Sequence, residues 1–164
     1  YARHYPAINW NSSYSEYVDE LKPFYDKQYG EDFLKCRQRV SNILMEEAQL
    51  MGIVKLIGAD VLPEDQKLTI ETARLIRVGF LQQNAFHAED TYVPLEKQLG
   101  MMQVILYFYD QAMKKVKEGI PVSLINKTGI EDSIVKIKYN VPNNDLEKLK
   151  EYYPMIDEKL AEVK

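Results

Sequence analysis

The chain has 164 residues, 46% of them hydrophobic and 28% charged, with a formal net charge of -4 and a single cysteine; this is enough for one core without disulfide or metal support. Acidic and basic residues are interspersed, so no basic field exists to release counterions from nucleic acid, and no apolar run approaches the roughly 20 residues that span a bilayer. Nucleic-acid binding and direct membrane insertion are set aside, no signal peptide is visible, and the lone Cys36, without a Cys or His partner at ligand spacing, points to a reducing, cytosolic compartment.

In chain order, Tyr1 opens abruptly in an extended, proline-restricted segment, which reads as a fragment or processed product. Ser13 and Glu16 have capping-box spacing, which predicts a helix from about Tyr14 to Gln28, bent near Pro23 and ended by Gly30. From Glu31 to about Ile57, Phe33, Leu34, Val40, Ile43, Leu44, Ala48, Met51, Val54 and Ile57 make one apolar stripe, with a break expected at Gly52 and a stop at Gly58. Pro63, followed by Glu64 and Asp65, predicts the first turn of a helix continuing to about Gln82. Residues 84–93 read as irregular, and Pro94 restarts a long apolar helix closed by Lys114, Lys115, Lys117 and Gly119. Short helices are expected near 121–126 and 130–138, then an amphipathic segment from Asp145 interrupted by Pro154. Without repeats or a convincing strand, the fold expected is all-α: an antiparallel helical bundle with an extended N-terminal segment.

Two segments place aromatic rings in irregular surroundings suited to a planar ligand. In His4-Tyr5-Pro6-Ala7-Ile8-Asn9-Trp10, Pro6 pushes Tyr5 toward an extended conformation. In Gly79-Phe80-Leu81-Gln82-Gln83-Asn84-Ala85-Phe86, Phe86 stands where helix gives way to loop. Read locally, Tyr5 is a ring buried in a domain junction and Phe86 a core plug.

These segments, together with Leu56-Ile57-Gly58-Ala59-Asp60-Val61-Leu62-Pro63-Glu64-Asp65-Gln66-Lys67-Leu68-Thr69-Ile70 between them, resemble the catalytic subunits of rotary ATPases. The order is the same. The first segment resembles Tyr-Pro-Ala-Val-Asp of the F type and His-Phe-Pro-Ala-Ile-Asn-Trp of archaeal relatives, and Phe-Leu-Gln-Gln-Asn is specific to the vacuolar and archaeal types. The resemblance implies that Tyr5 and Phe86 wall an adenine, that Ala85 lets the ring approach, and that Gln83 or Asn84 bonds the adenine edge. It also implies that the turn Asp60, Val61, Leu62, Pro63, Glu64 and Asp65 bears on the rotor, with Val61 and Leu62 as an apolar tip. This turn has fewer acids than the F-type Asp-Glu-Leu-Ser-Glu-Glu-Asp, which favours a steric role over a charge-based one. Gly79 stands where relatives often carry an acid, implying a looser helix before the pocket.

No Gly-rich loop ending in Gly-Lys-Ser or Gly-Lys-Thr occurs in the sequence, and His4, His87, Glu89, Asp90 and Glu96 form no metal or catalytic set. No catalytic residue is assigned. The expectation is the C-terminal domain of the catalytic A subunit of a vacuolar or archaeal rotary ATPase, which couples ATP hydrolysis or synthesis to proton or sodium transport. Residues 1–12 would close the nucleotide-binding domain and 13–164 form the helical domain. The parent protein would bind ATP or ADP with Mg; this stretch alone would not. The partners implied are B subunits and central-stalk rotor subunits, with the complex peripheral to the membrane. A stand-alone helical adaptor is the alternative; the non-catalytic B subunit is disfavoured by Gln82-Gln83-Asn84-Ala85-Phe86.

Overall fold

The computed structural model describes residues 27–81 and 95–164, which contain helices and turns and no strand. Helix α1 covers Lys27–Ile57. A 3-10 turn, Ala59–Val61, leads to α2, Glu64–Ile76, which continues as a π turn over Arg77–Leu81. Helix α3 covers Leu95–Lys117. Three short helices follow, α4 at Val122–Asn126, α5 at Ile130–Val135 and α6 at Ile137–Asn140. A 3-10 stretch, Leu146–Glu151, then runs into α7, Tyr152–Ala161.

Three long helices pack on one another, and side-chain pairs fix their directions. Glu47 meets Arg77, ten residues before the end of α1 and past the end of α2, so these two helices run antiparallel. The Thr69 and Tyr109 hydroxyls lie 3.1 Å apart, whereas Glu64 reaches Val122, so α2 and α3 are antiparallel as well. Arg39 on α1 pairs with Asp110 on α3 at 2.6 and 3.0 Å. Helix α7 covers the outer side of α3, where the Tyr107 hydroxyl donates to Asp157 at 2.6 Å and its ring meets the edge of Tyr153. The antiparallel bundle expected from sequence is present. The extended N-terminal segment, the capping box at Ser13 and residues 84–93 lie outside the described residues.

The core runs from Phe33 through Leu75, Phe80, Met102 and Phe108 to Ile134 and Ile156, all essentially inaccessible to solvent. Burying each such side chain contributes about 1.5–3 kcal/mol. Lys97 is buried too, and its ammonium donates to the carbonyls of Lys138 and Val141 and to Asn143 Oδ1, at 3.3, 2.7 and 3.0 Å. It replaces the water those carbonyls would otherwise bind at the end of α6.

Several helix ends follow local chemistry. Gly58 and Gly119 adopt φ of +89° and +100°, where a side chain would be strained. At Gly119 the amide donates to Val116 O and that of Ile120 to Lys115 O, the paired bonds of a Schellman motif. Pro63 is the N-cap of α2, one position earlier than expected.

Other expectations need correction. Neither Gly30 nor Gly52 breaks α1, because a glycine inside a long packed helix costs only about 1 kcal/mol. Pro154 does not interrupt α7 but sits in its first turn, where a missing amide leaves no bond unmade. The buried seam of α1 is Phe33, Val40, Ile43, Glu47 and Leu50, not the whole apolar stripe. Leu34 and Ile57 face solvent, and from Met51 to Val61 no residue is buried.

Candidate functional site

The end of α1 extends past the packed part of the bundle and turns back through residues 58–63. Its apolar residues are open to solvent: Leu56 is 85% exposed, Ile57 61% and Val61 58%. Leu62, expected at the tip beside Val61, is only 7% exposed and points inward. The difference arises at the 3-10 turn, where the Leu62 amide donates to Ala59 O and turns consecutive side chains to opposite sides. Asp60, Pro63 and Asp65 are exposed. Sequence periodicity missed Ile57 as a surface residue, because it continues a stripe that is buried farther up the same helix; Leu56 is not a member of that stripe.

Glu64 has a different environment from the other acids of the turn. One carboxylate oxygen accepts from Lys67 Nζ at 2.9 Å and the other accepts the Val122 amide at 2.7 Å. The lysine bond first, and the amide second, hold its carboxyl below the ordinary carboxylate value. Glu64 therefore fastens α2 to the start of α4. Beside it a groove of about 630 Å³ passes Glu46, Asp65, Thr69, Tyr109 and Lys117, lined by charges of both signs.

The second part of the site begins at the π turn. Arg77 donates to both oxygens of Glu47, at 2.7 and 2.5 Å, anchoring the turn to α1. Phe80 is buried, and a Cβ placed on Gly79 would stand 3.6 Å from Val135 Cα, an ordinary contact. The helix takes π winding over Arg77–Leu81, with Gly79 inside it; such turns widen the backbone and recur at functional sites. The chain then leads to Gln83, Asn84, Ala85 and Phe86. These four and Tyr5 lie outside the described residues.

Among the described residues no group of three His, Cys, Asp or Glu side chains could hold a metal, and no helix is long and apolar enough to cross a membrane. Cys36 is no activated nucleophile. Burial first, and the nearby Asp32 second, push its thiol up to about 11.

A family model described as the C-terminal domain of V and A type ATP synthase matches residues 22–125. The chain belongs to that family. It is 52% identical over 161 residues, 98% of its length, to the V-type ATP synthase alpha chain 2 of Clostridium tetani. It is 43% identical to the V-type ATP synthase alpha chain of Halothermothrix orenii, over 96% of its length. To the A subunit of the A-type ATP synthase of Methanopyrus kandleri it is 44% identical, over 98%. The chain spans about a quarter of the length of these relatives, 26%, 27% and 27% respectively. The family is the one the three sequence segments resemble.

Proposed function

We propose that this chain forms the C-terminal part of the catalytic A subunit of a V- or A-type rotary ATP synthase, with residues 1–12 closing the nucleotide-binding domain and 13–164 forming the helical domain. The observation that carries the reading is the match of nearly the whole chain to alpha chains and A subunits of such complexes. The parent complex couples ATP hydrolysis or synthesis to proton or sodium transport, works in the cytoplasm at the membrane surface, and pairs this subunit with B subunits and a central rotor. ATP or ADP with Mg is held by the preceding domain; this chain contributes one wall.

In that role Tyr5 and Phe86 pack against the adenine, Ala85 leaves room for it, and Gln83 or Asn84 bonds its edge. Base stacking of this kind is worth about 1–3 kcal/mol per ring. The π turn pinned by Arg77 and Glu47 supplies a fixed origin for the segment that carries Phe86. The turn from Asp60 to Asp65 bears on the rotor. The exposed apolar Val61 of the turn, with Leu56 and Ile57 at the adjoining end of α1, makes the contact, with Asp60, Pro63 and Asp65 around them, while Glu64 and Leu62 hold the turn on the bundle.

The test is made in the assembled complex. Phe86→Ala is expected to raise the Michaelis constant for ATP more than it lowers turnover, because the base is bound alike before and during phosphoryl transfer. An unchanged Michaelis constant would remove Phe86 from the pocket. A photo-crosslinker at Val61 is expected to capture the central stalk; capture of B subunits only would remove the rotor role.

A further inference from the structure

Glu131, in the first turn of α5, projects a carboxylate into the junction with α2, and its side chain is 9% exposed. One oxygen, Oε2, accepts from Arg74 Nη2 at 3.2 Å. The other, Oε1, is buried with no hydrogen-bond partner. A buried carboxylate oxygen without a donor costs more than almost any other polar group, so a donor is required. The neighbouring side chain is Glu71, whose carboxylate lies 3.7 Å from the same Arg74 nitrogen. Two carboxylates thus share one guanidinium, leaving one negative charge in excess. A carboxylate cannot donate to a carboxylate; a carboxylic acid can.

We propose that Glu131 and Glu71 hold one proton between them beside Arg74, so that the junction of α5 with α2 is a proton-binding site. The proton comes from solvent and no other bond changes. It turns one acid into the donor that the buried oxygen lacks, and reduces the cluster to one carboxylate against one guanidinium. Burial first, and the charge of Glu71 second, push the Glu131 carboxyl well above the ordinary carboxylate range, to about 7, against the opposing pull of Arg74. On the other elements that pack against α5, Arg77 of the π turn pairs with Glu47 and Lys159 of α7 donates to Thr128 O. Asp132, next in the chain, is exposed.

The consequence is a packing contact that depends on pH near neutrality. Helix α5 also packs against the π turn, where Val135 lies beside Gly79, so the proton strengthens the support under that turn. This holds whether or not residues 83–86 meet adenine. The sign is fixed by linkage. A folded value raised above the unfolded one contributes stability that is complete below the ordinary carboxylate value of 4.5 and is lost as pH rises through about 7.

The experiment is a carboxyl-carbon NMR titration of the whole chain labelled on Glu, joined to thermal unfolding between pH 5 and 8 for wild type, Glu131→Gln and Glu71→Gln. The Glu131 signal is expected to titrate near neutrality in wild type and to fall by about one pH unit or more in Glu71→Gln, where the like charge is gone. The thermal midpoint of wild type, relative to Glu131→Gln, is expected to drop as pH rises. That comparison cancels any contribution from His4 and His87, which both chains share. A Glu131 signal titrating below pH 5, or one unmoved in Glu71→Gln, would overturn the proposal, as would a wild-type midpoint that keeps constant distance from Glu131→Gln. The wild-type and Glu71→Gln titrations decide the matter even if Glu131→Gln does not fold.

Discussion

Glu64 accepts the backbone amide of Val122 at 2.7 Å, so an acid at the first position of α2 caps the first residue of α4, 58 positions away. Local reading places that acid on a solvated turn. Its partner instead makes it a fastener between the turn and the body of the bundle. Glu64→Ala is expected to destabilise the chain by about 1 kcal/mol, mainly through the orphaned amide, as measured by urea unfolding. Because its carboxyl is held below the ordinary value of 4.5, its contribution is present above that pH and is lost as pH falls through the lowered value. The deficit of the variant is therefore expected to shrink in acid; a deficit that grows below pH 4 would contradict the assignment.

The Arg77 guanidinium and the Glu47 carboxylate form a two-pronged pair that joins the π turn to α1. Glu47 is a buried member of the α1 seam, so removing the arginine strands its charge. Arg77→Met is expected to cost about 2–3 kcal/mol, and Arg77→Lys to recover only part of it, since an ammonium cannot reproduce the fork. Calorimetric midpoints for the two variants, with Glu47→Gln combined in a double-mutant cycle, measure the coupling. Equal stability of Met and Lys variants would show that the fork has no weight.

Two helix-interior glycines are expected to respond oppositely to alanine. At Gly52 an added Cβ meets nothing within 4 Å, so Gly52→Ala is expected to stabilise by about 0.5–1 kcal/mol through helix propensity alone. At Gly100 the added Cβ would stand 2.5 Å from Leu149 Cδ1, and Leu149 is itself buried. Gly100→Ala is therefore expected to destabilise by about 1 kcal/mol, overpacking exceeding the propensity gain. In a Leu149→Ala background the same change is expected to become stabilising, and denaturant titration of the four chains reads the reversal.

Cys36 is expected to be slow to alkylate. With its thiol pushed up to about 11, little thiolate exists at pH 8. Iodoacetamide labelling followed by mass spectrometry is expected to be many-fold slower in the folded chain than in denaturant. Equal rates would place the thiol in open solvent.

Stops and starts of helices were determined by the sequence itself: Gly58 and Gly119 end α1 and α3, and Pro63 and Pro121 precede α2 and α4. These four signals act within one turn of backbone, through a permitted positive φ or a missing amide, whereas Gly30 and Gly52, which need no positive φ, are carried inside α1. The three motif segments determined the family in the same way, by residues read in order. Burial was decided only by the tertiary structure. Along α1 the apolar stripe looks uniform from Phe33 to Ile57, yet only Phe33, Val40 and Ile43 of it are core, Leu34 faces solvent and nothing past Leu50 is buried, because a side chain is buried by whatever helix lies opposite it. The same holds for the acids. Nothing local separates Glu47 and Glu131 from the solvated carboxylates around them, and Glu64 has only Lys67 close in sequence; Arg77, Arg74 with Glu71, and the Val122 amide come from other elements, and their arrival in space is what makes each acid a fastener.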